Sequence, residues 1–232
     1  MNLQAAEIRW LFLDLGNTLV SEEAATEARL RQMAGCFERH GRRCSVADIR
    51  CALEEASAEF APRLITAAIA KLTDDADLRR AIEASCRYPK DLESPYEGAE
   101  QVLRVLSSHY RIGVIANQSA GTEERLTKWG LMRLISICLS SAELGIEKPD
   151  PAIFRLALSR AECPAEEAVM IGDRLDKDIR PARLQGWRTI RILRGFGRFQ
   201  LPRDQFDEAD ATVAGLDELV PLFLGSGQRA FF

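Results

Sequence analysis

The sequence predicts an α/β protein: a doubly wound, Rossmann-like parallel sheet core with an inserted all-helical domain. Three observations carry that expectation. The apolar run Ile8 to Leu13 ends at Asp14 and opens into Leu15-Gly16-Asn17-Thr18, the pattern of a buried strand that delivers a carboxylate into a tight loop. From Pro95 onward, short apolar runs alternate with segments of helix period, which requires right-handed crossovers and a mostly parallel sheet covered on both faces. From Glu22 to Tyr88 the period is helical throughout, with no strand candidate of comparable quality.

The insertion reads as helices over 22–40, ended by Gly41; 46–61, with Ser45 as N-cap, Asp48 three places on and Pro62 as the stop; 63–71; and 74–87, with Thr73 as N-cap. Leu30, Met33, Ala34 and Phe37 follow the i, i+3, i+4, i+7 spacing, with Cys36 at the margin, and are read as packing within a small bundle. After the Pro95–Gly98 turn come helix 98–108, strand 111–116, helix 121–129, strand 134–139, helix 151–161, strand 168–172 and helix 176–185. Strand 188–193, a short strand 211–214 and helix 216–224 complete the pattern, and 194–206, with its Gly, Phe and Arg, reads as a loop. The expected core is therefore 1–20 with 93–232, and the expected helical insertion is 21–92.

Composition is that of an ordinary globular protein of 232 residues: 47% hydrophobic, 28% charged, and 31 basic against 35 acidic residues for a net charge of -4. That balance gives no polyanion partner a purchase, and the Arg-rich stretches at Arg42-Arg43 and Arg188–Arg198 read as solvated faces rather than a nucleic-acid stripe. The six cysteines at 36, 44, 51, 86, 138 and 163 form no CxxC pair, which argues against zinc and against a disulfide scaffold and fits a reducing cytoplasm. Cys138, inside an apolar run, reads as core filling. Two histidines, His40 and His109, are too few for a multi-His metal site and poorly placed for a triad. No apolar stretch approaches the length of a bilayer span, so a soluble, unprocessed chain with no membrane partner is expected. Oligomeric state leaves no trace in the sequence.

Chemistry concentrates where strands end. Asp14, Asp173 and Asp178 each follow or closely trail a strand, so a parallel sheet would bring three carboxylates to one edge. Like charges so close need a cation, and hard oxygen ligands with open positions suit Mg²⁺. Lys148 would supply a positive charge for a phosphoryl group or for an aspartyl-phosphate formed on Asp14, while the amides of Leu15, Gly16 and Asn117 complete an anion cradle. Taken singly, Asp173 and Asp178 also fit the roles of helix N-cap and first-turn acid. It is the order of four such elements along the chain that favours a site.

Asp14-Leu15-Gly16-Asn17-Thr18-Leu19, Ile112–Asn117, Lys148-Pro149 and Gly172-Asp173-Arg174-Leu175-Asp176-Lys177-Asp178 resemble, in that order, the four motifs of the haloacid dehalogenase-like hydrolase superfamily. The helical insertion after the first is similar to its C1-type cap. The resemblance implies that Asp14 is nucleophile and metal ligand, the Gly16 carbonyl a second ligand, Lys148 the partner of phosphate and nucleophile, and Asp173 with Asp178 the remaining Mg²⁺-binding acids. It further implies a phosphatase that acts on a small phosphorylated metabolite through an aspartyl-phosphate on Asp14, with the substrate read by residues between 21 and 92.

Two positions depart from the pattern. Gly16 stands where most phosphatases of the superfamily carry a second Asp as general acid/base, and Ala116 replaces a Thr or Ser hydroxyl that would donate to phosphate. Losing a general acid costs ~10²- to 10⁴-fold, and least with a good leaving group. A catalytically reduced binding or regulatory protein is thus the second reading. Carbon–halogen hydrolysis is a third, weakened because that branch usually carries Tyr at the position of Gly16. A response-regulator receiver has the wrong order, since Lys148 here precedes the acid pair.

Overall fold

The structure, a computed structural model, describes residues 7–225; positions 1–6 and 226–232, the outer ends of the expected core, lie outside the described residues. In chain order the strands are β1 (Trp10–Leu13), β2 (Val20–Ser21), β3 (Ser94–Pro95), β4 (Arg111–Ala116), β5 (Ile137–Ser140), β6 (Ala168–Gly172), β7 (Arg188–Ile192) and β8 (Ala211–Val213). Six of them form one sheet in the order β5-β4-β1-β6-β7-β8, with every pairing parallel. Chain order reverses direction at β1: β4 and β5 extend the sheet on one side, β6 to β8 on the other. Ligands of open α/β sheets bind at such a switch point, outside the carboxyl ends of the strands.

The unbroken apolar character of β1 follows from having a core on each face. Leu11 and Leu13 enter one cluster with Ile112, Val114, Val169, Ile171, Ile190 and Ile192. Trp10 and Phe12 point the other way, into a cluster with Ile115, Met170, Phe154 and Trp187. Phe12 lies stacked on Trp10 at 5.3 Å between centroids and edge-on to Trp187 at 5.2 Å. Gly113 of β4 leaves room for that ring, because a Cβ there would sit 2.3 Å from two Phe12 ring carbons.

Helices α5 (Ala99–Ser107), α6 (Thr122–Lys128), α7 (Ser141–Leu144), α8 (Pro151–Ala161), α9 (Arg180–Arg183) and α10 (Leu219–Leu224) complete this unit. The short β2, β3 and α7 have no counterpart in the sequence expectation, and three further elements differ from it. The strand expected over 134–139 starts at Ile137, because Met132–Leu134 closes a 3₁₀ turn. The helix expected over 176–185 is a π-helical turn, Leu175–Ile179, running into the short α9. The helix expected over 216–224 opens with a 3₁₀ turn before α10.

The chain divides into two compact units. One comprises the chain to Ser21, Ser94–Arg194 and the chain from Pro202; the other comprises Glu22–Glu93 with Gly195–Leu201. The second unit is helical: α1 (Glu23–Arg39), α2 (Val46–Ala58), α3 (Leu64–Leu72) and α4 (Ala76–Ser85). Its buried stripe on α1 is Leu30, Met33, Cys36 and Phe37; Ala34 is only partly buried, so the apolar face is rotated toward Cys36 relative to expectation. Ser45 and Asp48 form the reciprocal capping box at α2. At α4 the cap is Asp75, whose carboxylate accepts from the Asp77 and Leu78 amides, and not Thr73. Thr73 instead ends α3 in an extended conformation, with its hydroxyl accepting from the Asp75 amide.

Seven residues of the expected loop pack with these helices. Phe196 lies against their core, and the buried Ser57 hydroxyl donates to the Phe196 carbonyl at 2.7 Å.

Candidate active site

Backbone geometry carries Asp14 past the end of β1. Its amide donates to the Ile171 carbonyl at 2.8 Å, one step beyond the last paired residues of the β1–β6 ladder. The loop that follows is wound around the Leu15 carbonyl, which accepts from the amides of Thr18, Leu19 and Val20. Asn17 takes a left-handed φ of 54° within it, a conformation that Asn tolerates better than most residues.

Lys148 is buried, and its ammonium donates to Asp14 and to Asp178, both at 2.6 Å. Asp178 reaches the same place from the π-helical turn, where its other oxygen accepts from the Arg174 amide at 3.0 Å. That approach depends on Gly172, since a Cβ there would lie 2.4 Å from the Asp178 carboxylate. Asp173, also buried, follows directly on β6. One oxygen from each of Asp14, Asp173 and Asp178 lies within 4.8 Å of the others, a donor set that fits a hard divalent cation.

Electrostatics follow from burial. Removal from water, reinforced by the charge on Asp14, pushes Asp178 up to about 6, against the opposing pull of Lys148 and the Arg174 amide. For Lys148, burial disfavours the ammonium, but the charges and hydrogen bonds of Asp14 and Asp178 outweigh it and hold the group above its ordinary value. Arg174 grips Asp176 through two parallel bonds of 2.8 Å, and its charge also acts on Asp173 and Asp178.

The structure thus brings together Asp14, Asp173, Asp178 and Lys148. Gly16 brings no side chain to the loop, and Ala116 is a buried methyl at the end of β4. Asn117 does something the sequence reading did not anticipate. Its Nδ2 donates to the Lys148 carbonyl and its Oδ1 accepts from the Lys148 amide, each at 2.7 Å. The expectation of a solvated arginine face also needs correction at Arg191, which is buried beside Asp173 and Asp207 with its basicity lowered by desolvation. The signal was present: a charged residue between Ile190 and Ile192 in a buried strand. Cys138 is half-buried, and desolvation pushes its thiol up to about 12, which suits packing and not nucleophilic attack.

Comparison with known proteins adds ancestry to this geometry. Glyceraldehyde 3-phosphate phosphatase from Methanopyrus kandleri is 35% identical over 120 residues, 51% of this chain and 52% of its own. Phosphoserine phosphatase from Thermus thermophilus is 42% identical over 96 residues, 41% of this chain and 37% of its own. The chain spans about half the length of the curated relatives it matches, or less. The magnesium-bound HAD-hydrolase YfnB from Bacillus subtilis shares the fold, with a TM-score of 0.65 and 21% identity over 94% of this chain and 99% of that one. A profile of the haloacid dehalogenase-like hydrolases matches residues 8–186, well over half of the chain, and this protein belongs to that family.

Proposed function

We propose that the protein is a Mg²⁺-dependent phosphate monoester hydrolase acting on a small phosphorylated metabolite through an aspartyl-phosphate on Asp14. The observation that carries this reading is the Asp14 carboxylate, held 2.6 Å from a buried ammonium with two further acids beside it. The phosphatase names of the M. kandleri and T. thermophilus relatives support it.

In this reading one Asp14 oxygen attacks phosphorus and the ester oxygen leaves; water then attacks the acyl phosphate and regenerates the carboxylate. Lys148 orients Asp14 and offsets charge on the phosphoryl oxygens, while the amides of Leu15, Gly16 and Asn117 cradle them. Asp14, the Gly16 carbonyl, Asp173 and Asp178 would hold Mg²⁺, which when bound supplies charge neutralisation to the transferring phosphoryl group. Free thiols at all six cysteines are in keeping with a reducing cytoplasm. Among the described residues no helix is long and apolar enough to cross a membrane.

A second reading, a binding or regulatory protein with reduced catalysis, is favoured by Gly16 and Ala116, which bring neither a proton donor nor a hydroxyl to the site. One assay separates them. Purified protein and Asp14→Asn are incubated with a good-leaving-group aryl phosphate, with and without Mg²⁺. Metal-dependent turnover that the substitution abolishes is the expected result; Mg²⁺ or phosphate binding without turnover would establish the second reading.

A further inference from the structure

We propose that the Asn117 side chain is the positioning residue for Lys148, fixing the backbone from which the ammonium reaches Asp14 and Asp178. The catalytic part of this proposal rests on the phosphatase reading above; the positioning part does not.

Lys148 lies in the loop between α7 and α8, outside the ladders of the sheet. Its amide and its carbonyl both turn to one partner, the carboxamide of Asn117, at 2.7 Å each. A carboxamide presents one acceptor and donors side by side, as a neighbouring strand would, so Asn117 extends the pairing of the sheet to a loop that has no strand. Asp cannot donate, Leu can do neither, and Gln is longer by a methylene.

Asn117 is itself well anchored. It directly follows β4, which is paired on both sides, by β1 and β5. The next residue is held in turn: the Gln118 amide donates to the Ser141 hydroxyl at 3.1 Å, and that hydroxyl lies 3.2 Å from the Gln118 carbonyl as donor. The position of Lys148 is thereby referred to the central strands that also carry Asp14. A four-carbon side chain has ample freedom to miss its targets, and here it must satisfy two carboxylates at 2.6 Å while buried.

The test needs no knowledge of the substrate. Lysine acylation by a water-soluble active ester, read by mass spectrometry on the folded protein, should find Lys148 labelled far more slowly than the exposed Lys128. Asn117→Leu should raise Lys148 labelling by roughly tenfold or more through local opening, with Lys128 unchanged. Asn117→Asp, which keeps the acceptor and loses the donor, should fall between. Unaltered protection of Lys148 in both variants would overturn the proposal.

A kinetic cycle with aryl phosphate supplies the catalytic half. Asn117→Leu should lower kcat roughly 10- to 100-fold in the native background and less than about twofold once Lys148→Met is present. Equal losses in both backgrounds would mean general damage and would sink the positioning role. Absence of turnover in the native protein would count against the phosphatase reading alone, and the labelling result would then decide the proposal by itself.

Discussion

Gly172 shows how tightly the site is built at the scale of single residues. The carboxylate of Asp178 occupies the space that a Cβ at 172 would need, so Gly172→Ala should displace the acid. The expected outcome is a loss of turnover of at least ~10²-fold together with about 1–3 kcal/mol of stability, read by steady-state kinetics and urea unfolding. Gly16 and Ala116 make the opposite case, where groups are missing. Gly16→Asp with Ala116→Thr should raise kcat by roughly 10- to 100-fold on an alkyl phosphate and by less on an aryl phosphate, whose leaving group needs little proton assistance. An unchanged rate would mean that another group already supplies the proton. The gathering of Asp14, Asp173 and Asp178 was legible in the sequence because each follows or closely trails an apolar run, where a buried strand opens into a loop that can carry a charged side chain. The Asn117 clamp was not, since nothing in a lone Asn after a strand says which distant peptide it will pair with.

At the scale of elements, the aromatic layer beneath β1 leaves no spare volume. Gly113→Ala would drive a methyl into Phe12, which Trp10 and Trp187 hold in place; a loss of about 1–3 kcal/mol in chemical denaturation is expected. The segment after β7 is organised by charge instead. The buried Asp207 accepts from the Arg203 amide and guanidinium and from Arg180. Burial alone would raise its carboxyl, but the Arg203 bonds, aided by Arg180, outweigh burial and hold it below the ordinary value. A depressed folded pKa means the contribution is full above the unfolded value of ~3.9 and is lost as pH falls through the lower folded one. The melting temperature of the native protein should therefore fall more steeply below about pH 4 than that of Asp207→Asn; parallel profiles would remove Asp207 from the account. Helix periods and the Ser45 capping box were readable because they are local. The π-helical turn at Leu175–Ile179 was not, because it depends on where Asp178 must point.

For the whole molecule, Asp14, Asp173 and Asp178 gather one oxygen each within 4.8 Å of one another, with Lys148 bonded to two of them, an oxygen donor set that a hard divalent cation would complete. Mg²⁺ should stabilise the folded state by linkage, about 2.7 kcal/mol at 100 times its dissociation constant, seen as a rise in melting temperature that Asp173→Asn abolishes. A melting temperature indifferent to Mg²⁺ would argue against a metal at this site. The helical unit is stapled by its own core and by Phe196, reached from Ser57, so Ser57→Ala should loosen residues 195–201 in hydrogen exchange and leave the strands of the parallel sheet as protected as before.

From the sequence alone came the parallel sheet, the helical insertion and the edge where carboxylates gather, because each is written in short-range periodicity and in the placement of charge at the ends of apolar runs. Only the tertiary structure decided that Gly195–Leu201 packs with the helices and that one carboxamide holds the backbone of Lys148. Those outcomes depend on the shape of surfaces brought together from distant parts of the chain, and no local pattern encodes them.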